Sequence, residues 1–134
     1  MSNEFSGSCL CGEVKYTLSG SVQSFFLCHC TRCQKGSGSS NAANLFSRQG
    51  TLSWLKGEDN LTTYRHPNTL HTRCFCQTCG SALPYYLSSI ESVVVPAGSL
   101  DSYCDLIPTA KIFMAERAAW FTKLNNVACF DTLP

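Results

Sequence analysis

With 134 residues, 44% of them hydrophobic, the chain has the length of one domain, residues 1–134, and enough apolar side chains to build a single core. Charged residues make up only 14% and the net charge is +1, so no surplus of positive charge is available to hold a nucleic acid. No apolar run approaches the roughly 20 residues that span a bilayer, and the opening MSNEFSGSCLCGE lacks the basic and apolar regions of a secretory signal, so the expectation is a soluble, cytoplasmic protein.

Short apolar or alternating runs recur about every ten residues, a rhythm that predicts an all-β chain. In order they are Glu13 to Leu18, Val22 to Leu27, Ala42 to Phe46, Thr51 to Leu55, Leu61 to Arg65, Leu70 to Phe75, Leu83 to Leu87, Val93 to Val95 and Lys111 to Met114. Turn formers separate them, among them Gly20, Gly50, Gly57, Pro67-Asn68, Gly80 and Gly98. The stretch Gly36 to Ser40 reads as a loop, and Ala115 to Leu124 as a helical turn or two. Trp54, Trp120, Phe25, Phe26, Tyr85 and Tyr86 alternate with polar or small neighbours and are expected in the core, the alternative being that a minority of them line a pocket.

Seven of the ten cysteines fall into three clusters: Cys9-Leu10-Cys11, Cys28-His29-Cys30-Thr31-Arg32-Cys33 and Cys76-Gln77-Thr78-Cys79. In a reducing compartment such clusters point to metal before disulfides. Residues i and i+2 of an extended chain face the same side, so Cys9 and Cys11 can present two sulfurs to one ion. A C-x-x-C pair does the same across a tight turn, which Gly80 helps the chain to leave after Cys79. A closed zinc site takes four thiolates, whereas a reactive one takes three and keeps a free position. The economical partition joins Cys9, Cys11, Cys76 and Cys79 in a closed site and leaves Cys28, Cys30 and Cys33 as a three-ligand site. Cys74 is an alternative fourth ligand for that triplet, which would close it. Cys104 and Cys129 stand alone and read as ordinary residues.

The ordered segments GSCLCGEVKY, CHCTRCQKGSG, TRCFCQTCGSAL, VVVPAGSLD and KIFMAERAAW, spread from Ser8 to Trp120, resemble the glutathione-dependent formaldehyde-activating enzyme (GFA) family, which includes centromere protein V. The resemblance implies a β-tent fold of small antiparallel sheets built around zinc sites, with two zinc ions per chain. It implies that Cys9, Cys11, Cys76 and Cys79 hold a structural ion. It implies also that Cys28, Cys30 and Cys33 hold a second, catalytic ion with an open position. The activity implied is that of a carbon-sulfur lyase condensing glutathione with formaldehyde to S-(hydroxymethyl)glutathione. Lys111 stands where family members often have histidine, and Cys74 where no fixed cysteine is expected.

An ion held by three thiolates carries a formal charge of −1, which makes it a weak Lewis acid but a good docking point for a further sulfur. A thiol such as glutathione suits it, with a small aldehyde as its partner. Arg32, Lys35 and Arg73 lie in or beside the metal motifs, where they could pair with the carboxylates of glutathione or remain solvated surface charges. His29 lies between two ligands, so its side chain is expected to point away from the ion, as a supporting or surface polar group. His66 and His71 have no partner visible in the sequence, and Asp101 reads as a turn cap. Two other readings stay open: an interaction module whose zinc ions are only structural, and a thiol-based redox or metal sensor.

Overall fold

The computed structural model describes residues 4–102 and 104–134. Eleven strands occur among these residues: β1 (Glu4–Ser8), β2 (Lys15–Ser19), β3 (Ser24–Cys28), β4 (Ala42–Arg48), β5 (Thr51–Lys56), β6 (Leu61–Arg65), β7 (Thr72–Cys76), β8 (Ala82–Leu83), β9 (Tyr85–Leu87), β10 (Ser92–Pro96) and β11 (Ala110–Ile112). One α-helix, α1 (Thr31–Ser37), follows β3, and single-turn 3-10 helices fill several connections. No helix among the described residues is long and apolar enough to cross a membrane.

The strands form three small sheets, with orders β1-β2-β5, β11-β3-β4-β10-β9 and β6-β7-β8. All pairings are antiparallel except β11 with β3. This is the all-β, β-tent class of architecture that the strand rhythm and the resemblance predicted. In the first sheet period-2 alternation sends Phe5, Tyr16 and Leu18 inward. In the central sheet Ser92 to Val95 are buried without alternation, because β10 is flanked by two strands and covered on both faces.

One core joins the sheets. It holds Val14, Tyr16, Leu18, Leu45, Leu83, Val93 and Val95, together with Cys9, Cys74 and Cys76. Each fully buried aliphatic side chain contributes about 1.5–3 kcal/mol, so this packing fixes the backbone from which those cysteines project. Tyr16 is fully buried and keeps its hydroxyl satisfied by Ser99 Oγ at 2.6 Å, and burial pushes its pKa up to about 12.

Several expectations need correction. β1 carries no apolar run, yet it pairs along its whole length with β2, so partnership rather than propensity makes it a strand. Leu83 to Leu87 is not one strand. Pro84 breaks it: Leu83 pairs with Cys74 in the third sheet and Tyr85 with Val94 in the central one. Part of the Gly36 to Ser40 loop is helical, since α1 runs to Ser37 and ends on Gly38, whose φ of 66° only glycine adopts at little cost. The helical turns foreseen near the end are two 3-10 stretches, Met114–Glu116 and Ala119–Lys123. Trp120 and Tyr86 lie more than half exposed, outside the core in which the alternation put them.

Candidate metal centre

Cys9 and Cys11 sit on the turn between β1 and β2, where Cys9 N–H donates to Val14 O and Gly12 N–H to Cys9 O. Cys76 ends β7, and Cys79 follows in a turn closed by Gly80 N–H donating to Cys76 O at 2.8 Å. These two turns bring four sulfurs within 4.8 Å of one another. Cys9 Sγ lies 3.6 Å from Cys11 Sγ, and Cys11 Sγ 3.8 Å from Cys76 Sγ. Four thiolates on a tetrahedral zinc with 2.3 Å bonds are about 3.8 Å apart, so the spacing fits that ion.

Donors already point at these sulfurs. Val14 N–H reaches Cys9 Sγ at 3.2 Å, Asn60 Nδ2 reaches Cys76 Sγ at 3.5 Å, and Ser81 Oγ lies 3.2 Å from Cys79 Sγ. The Ser81 hydroxyl and backbone N–H groups pull Cys79 down to about 5. Although the Glu13 backbone favours its thiolate, desolvation and the neighbouring sulfurs push Cys11 up to about 12. Four thiols competing for the same few donors can ionise together only with a cation among them.

The second cluster is built by α1. Cys28 ends β3, Cys30 is the N-cap, and Cys33 lies in the first turn, its N–H donating to Cys30 Sγ at 3.4 Å. Their three sulfurs also lie within 4.8 Å of one another. Burial opposes ionisation of Cys30, but the backbone N–H of Cys33, the sulfurs of Cys33 and Cys28 and the Arg32 backbone hold its pKa below the ordinary thiol value. Burial pushes Cys33 up, and the two neighbouring sulfurs add to it. The helix start is anchored from the far end of the chain: Glu116 Oε1 accepts from Thr31 N–H at 3.1 Å and from Thr31 Oγ1 at 2.9 Å. Gln34 Nε2 donates to His29 O and Glu116 O, at 2.8 and 2.9 Å.

Cys74 belongs to neither cluster. It is buried on β7 opposite Thr63 and Leu83, and desolvation raises the pKa of its thiol. His29 points away from the sulfurs as expected, but not toward the surface. It is fully buried, its ring stands edge-on to Phe121 at 4.5 Å, and among the described residues neither ring nitrogen meets a partner at good hydrogen-bonding geometry, the Ser40 backbone standing nearby. Burial and then the Lys111 charge lower its pKa.

A cleft of about 230 Å³ opens between α1, β4 and β7, and Cys33 lies in its wall. Ala42, Ala43, Leu83 and Pro96 make the lining apolar, while Asn44 and Tyr85 add polar groups. Arg73, His71 and Cys74 also line it. Gly36 is what admits Arg73 there, because a Cβ at that position would stand 2.8 Å from Arg73 Cδ. The guanidinium also lies over the Phe75 ring, 5.4 Å from its centroid. Burial and the positive charges of Arg32, His66 and Arg73 lower the pKa of His71, so this side of the cleft has a positive potential. Arg32 and Lys35 are exposed on α1 and do not line the cleft. His71, for which the sequence offers no partner, and Tyr85, one of the aromatics expected in the core, both line the cleft. Asp101 does not simply cap a turn; its Oδ2 accepts from Ser8 Oγ at 2.6 Å and ties β1 to the later chain.

No curated protein matches the sequence. A crystal structure of a Rhodobacter sphaeroides protein superposes with a TM-score of 0.60 at 23% identity, over 79% of this chain and 98% of that one, which is a likeness of fold. The family model described as glutathione-dependent formaldehyde-activating enzyme matches residues 4–116, a span that holds both cysteine clusters and the cleft. The two clusters are compatible with zinc, and the chain belongs to the glutathione-dependent formaldehyde-activating enzyme family.

Proposed function

We propose that the protein is a zinc-dependent carbon-sulfur lyase that joins glutathione or a related thiol to formaldehyde or another small aldehyde. The observation that carries this reading is the three-thiol cluster with one of its sulfurs, Cys33, in the wall of a cleft. Cys9, Cys11, Cys76 and Cys79 would hold one zinc as a structural staple, and Cys28, Cys30 and Cys33 would hold the second. Zinc on a three-thiolate set supplies a position for one more sulfur and stabilises that sulfur as thiolate.

The other roles fall to the chain itself. Arg73, with His71 beside it, binds a carboxylate of the thiol substrate and so sets where its sulfur lies. Arg32 strengthens the same field from outside the cleft, and Lys35 is left as a surface charge. The apolar walls of Ala42, Ala43 and Leu83 keep bulk water from the reacting carbon. Burial pushes Tyr85 up to about 12, with the Cys33, Cys28 and Cys74 charges adding to it, so its hydroxyl stays protonated as a hydrogen-bond donor. It serves the aldehyde oxygen as negative charge develops there. In the reaction the C–S bond forms, the carbonyl π bond becomes a hydroxyl, and the proton lost by the thiol ends on that oxygen.

The test is exchange spectroscopy on formaldehyde, glutathione and their adduct. Acceleration above the uncatalysed rate that disappears in Cys30→Ser supports the reading, and a rate equal to the uncatalysed one refutes it for formaldehyde.

A further inference from the structure

The cleft beside Cys33 does not end at its apolar wall. Ala82, Pro96 and Gly98 line it and also line a second hollow of about 490 Å³, so the two are neighbours across one shared wall. Ala82 begins β8, Pro96 ends β10, and Gly98 sits in the 3-10 turn Ala97–Ser99 that follows. A Cβ on Gly98 would meet nothing within 4 Å, so open space lies where a side chain would otherwise stand between the two hollows.

Ser8, Ser81, Ser99 and Asp101 line the second hollow, and their hydroxyl protons are already committed. Ser8 Oγ donates to Asp101 Oδ2 at 2.6 Å. Ser99 Oγ donates to Pro96 O at 2.7 Å and so accepts from the Tyr16 hydroxyl. Ser81 Oγ accepts from Leu10 N–H at 3.0 Å and lies 3.2 Å from Cys79 Sγ, to which it can only donate once that sulfur is a thiolate. What these side chains still offer a ligand is lone pairs and a carboxylate. Cys9, in the same wall, belongs to the four-thiol cluster, which stays net negative with a divalent ion among its thiolates. Such a lining suits a cationic donor and disfavours an anion. The neighbouring cleft has the opposite sign, since Arg73 lies in its wall.

We infer that the second hollow is the subsite for an ammonium group of the thiol substrate, with Asp101 and Ser8 as its acceptors. The inference rests on the lyase reading and states what the substrate must carry: a thiol set between a carboxylate at one end and an ammonium at the other. Glutathione meets that description. Its glycine carboxylate goes to Arg73 and its sulfur lies by Cys33, while its γ-glutamyl arm crosses at Gly98 and brings the α-ammonium to Asp101. The carboxylate on that same carbon turns to solvent, because Asp101 is exposed at the open rim. Arg73 alone would accept any thiol that bears a carboxylate. Opposite charges at the two ends also fix the direction in which the tripeptide lies.

Calorimetric titration of the zinc-loaded full chain with glutathione and with deamino-glutathione, the same tripeptide without its α-amino group, tests this. The wild-type chain should bind glutathione about 5- to 10-fold more tightly. Asp101→Asn keeps the Ser8 bond, because an amide oxygen still accepts it, and should bind both tripeptides equally. Gly98→Leu fills the crossing, so it should bind glutathione no better than N-acetyl-cysteinylglycine, which lacks the γ-glutamyl arm, and should bind the latter as the wild type does. Binding of neither tripeptide by the wild-type chain removes the glutathione reading and this inference with it. Equal binding of both by the wild-type chain, a preference that Asp101→Asn retains, or wild-type affinity for glutathione in Gly98→Leu overturns the subsite alone and leaves the lyase reading standing.

Discussion

Replacing Cys76 by serine should cost far more stability than replacing Cys30, although each change removes one thiolate from a proposed zinc site. Cys11 and Cys76 are 65 residues apart, so their site exists only when β1, β2 and β7 are in place, whereas Cys28, Cys30 and Cys33 lie within six consecutive residues. An unfolded chain that gathered the ligands would close a loop costing about 3.7 kcal/mol for the first site and about 1.4 for the second. Zinc therefore binds the unfolded chain at the first site about 2 kcal/mol more weakly on this ground alone, and linkage to folding is larger by the same amount. Cys76 is also fully buried in the core, where a serine hydroxyl adds a desolvation cost of about 1–3 kcal/mol. Together these give a deficit of about 3–5 kcal/mol for Cys76→Ser relative to Cys30→Ser, or a melting point lower by about 10–20 °C for a chain of this size. Thermal melts followed by circular dichroism on zinc-loaded variants measure it. Equal melting points would refute the division into a structural staple and a local reactive site.

Four further outcomes follow from the same geometry. Gly36→Ala should raise the KM for glutathione while leaving zinc content unchanged, because the new Cβ displaces Arg73; the helix itself gains up to about 1 kcal/mol. His29→Leu should raise the melting point by about 4 °C or more, since it removes two buried nitrogens that meet no well-aligned partner among the described residues, and a fall would show that the Ser40 backbone holds the ring. The pKa of His71 is lowered in the folded chain, so its contribution to stability is complete above about pH 6.5 and is lost as pH falls below that value toward the folded pKa. His71→Gln should flatten the stability profile below about pH 6.5, leaving the part due to His29, and denaturant titrations through that range measure the difference. Tyr85→Phe should lower kcat about 10–1,000-fold in the exchange assay with little change in zinc content, and an unchanged kcat would remove its hydroxyl from the chemistry.

The cysteine clusters were legible in the sequence because ligand-type spacing leaves local marks: C-x-C follows the two-residue period of extended chain, and C-x-x-C follows a tight turn. Their grouping into four and three was legible only as the economical partition, and the place of Cys74 outside both groups only once the fold set its distance from them. Helix α1 was missed because its start depends on a cysteine acting as N-cap and on Glu116, 85 residues away, rather than on an apolar stripe. Pro84 carried a signal that went unread, since a proline inside an apparent strand marks the place where the chain can change sheets. Nothing local marks His71 or Tyr85. Their place in the cleft comes from the packing of three elements, and Gly36 shows its importance only against Arg73.

Zinc-edge X-ray absorption with elemental analysis distinguishes a chain with one closed and one open zinc site from every other arrangement of the seven clustered cysteines. Two zinc ions per chain are expected, with a mean shell between three and four sulfurs that rises to four when glutathione is added. A single zinc, or a shell already of four sulfurs that glutathione leaves unchanged, would contradict it.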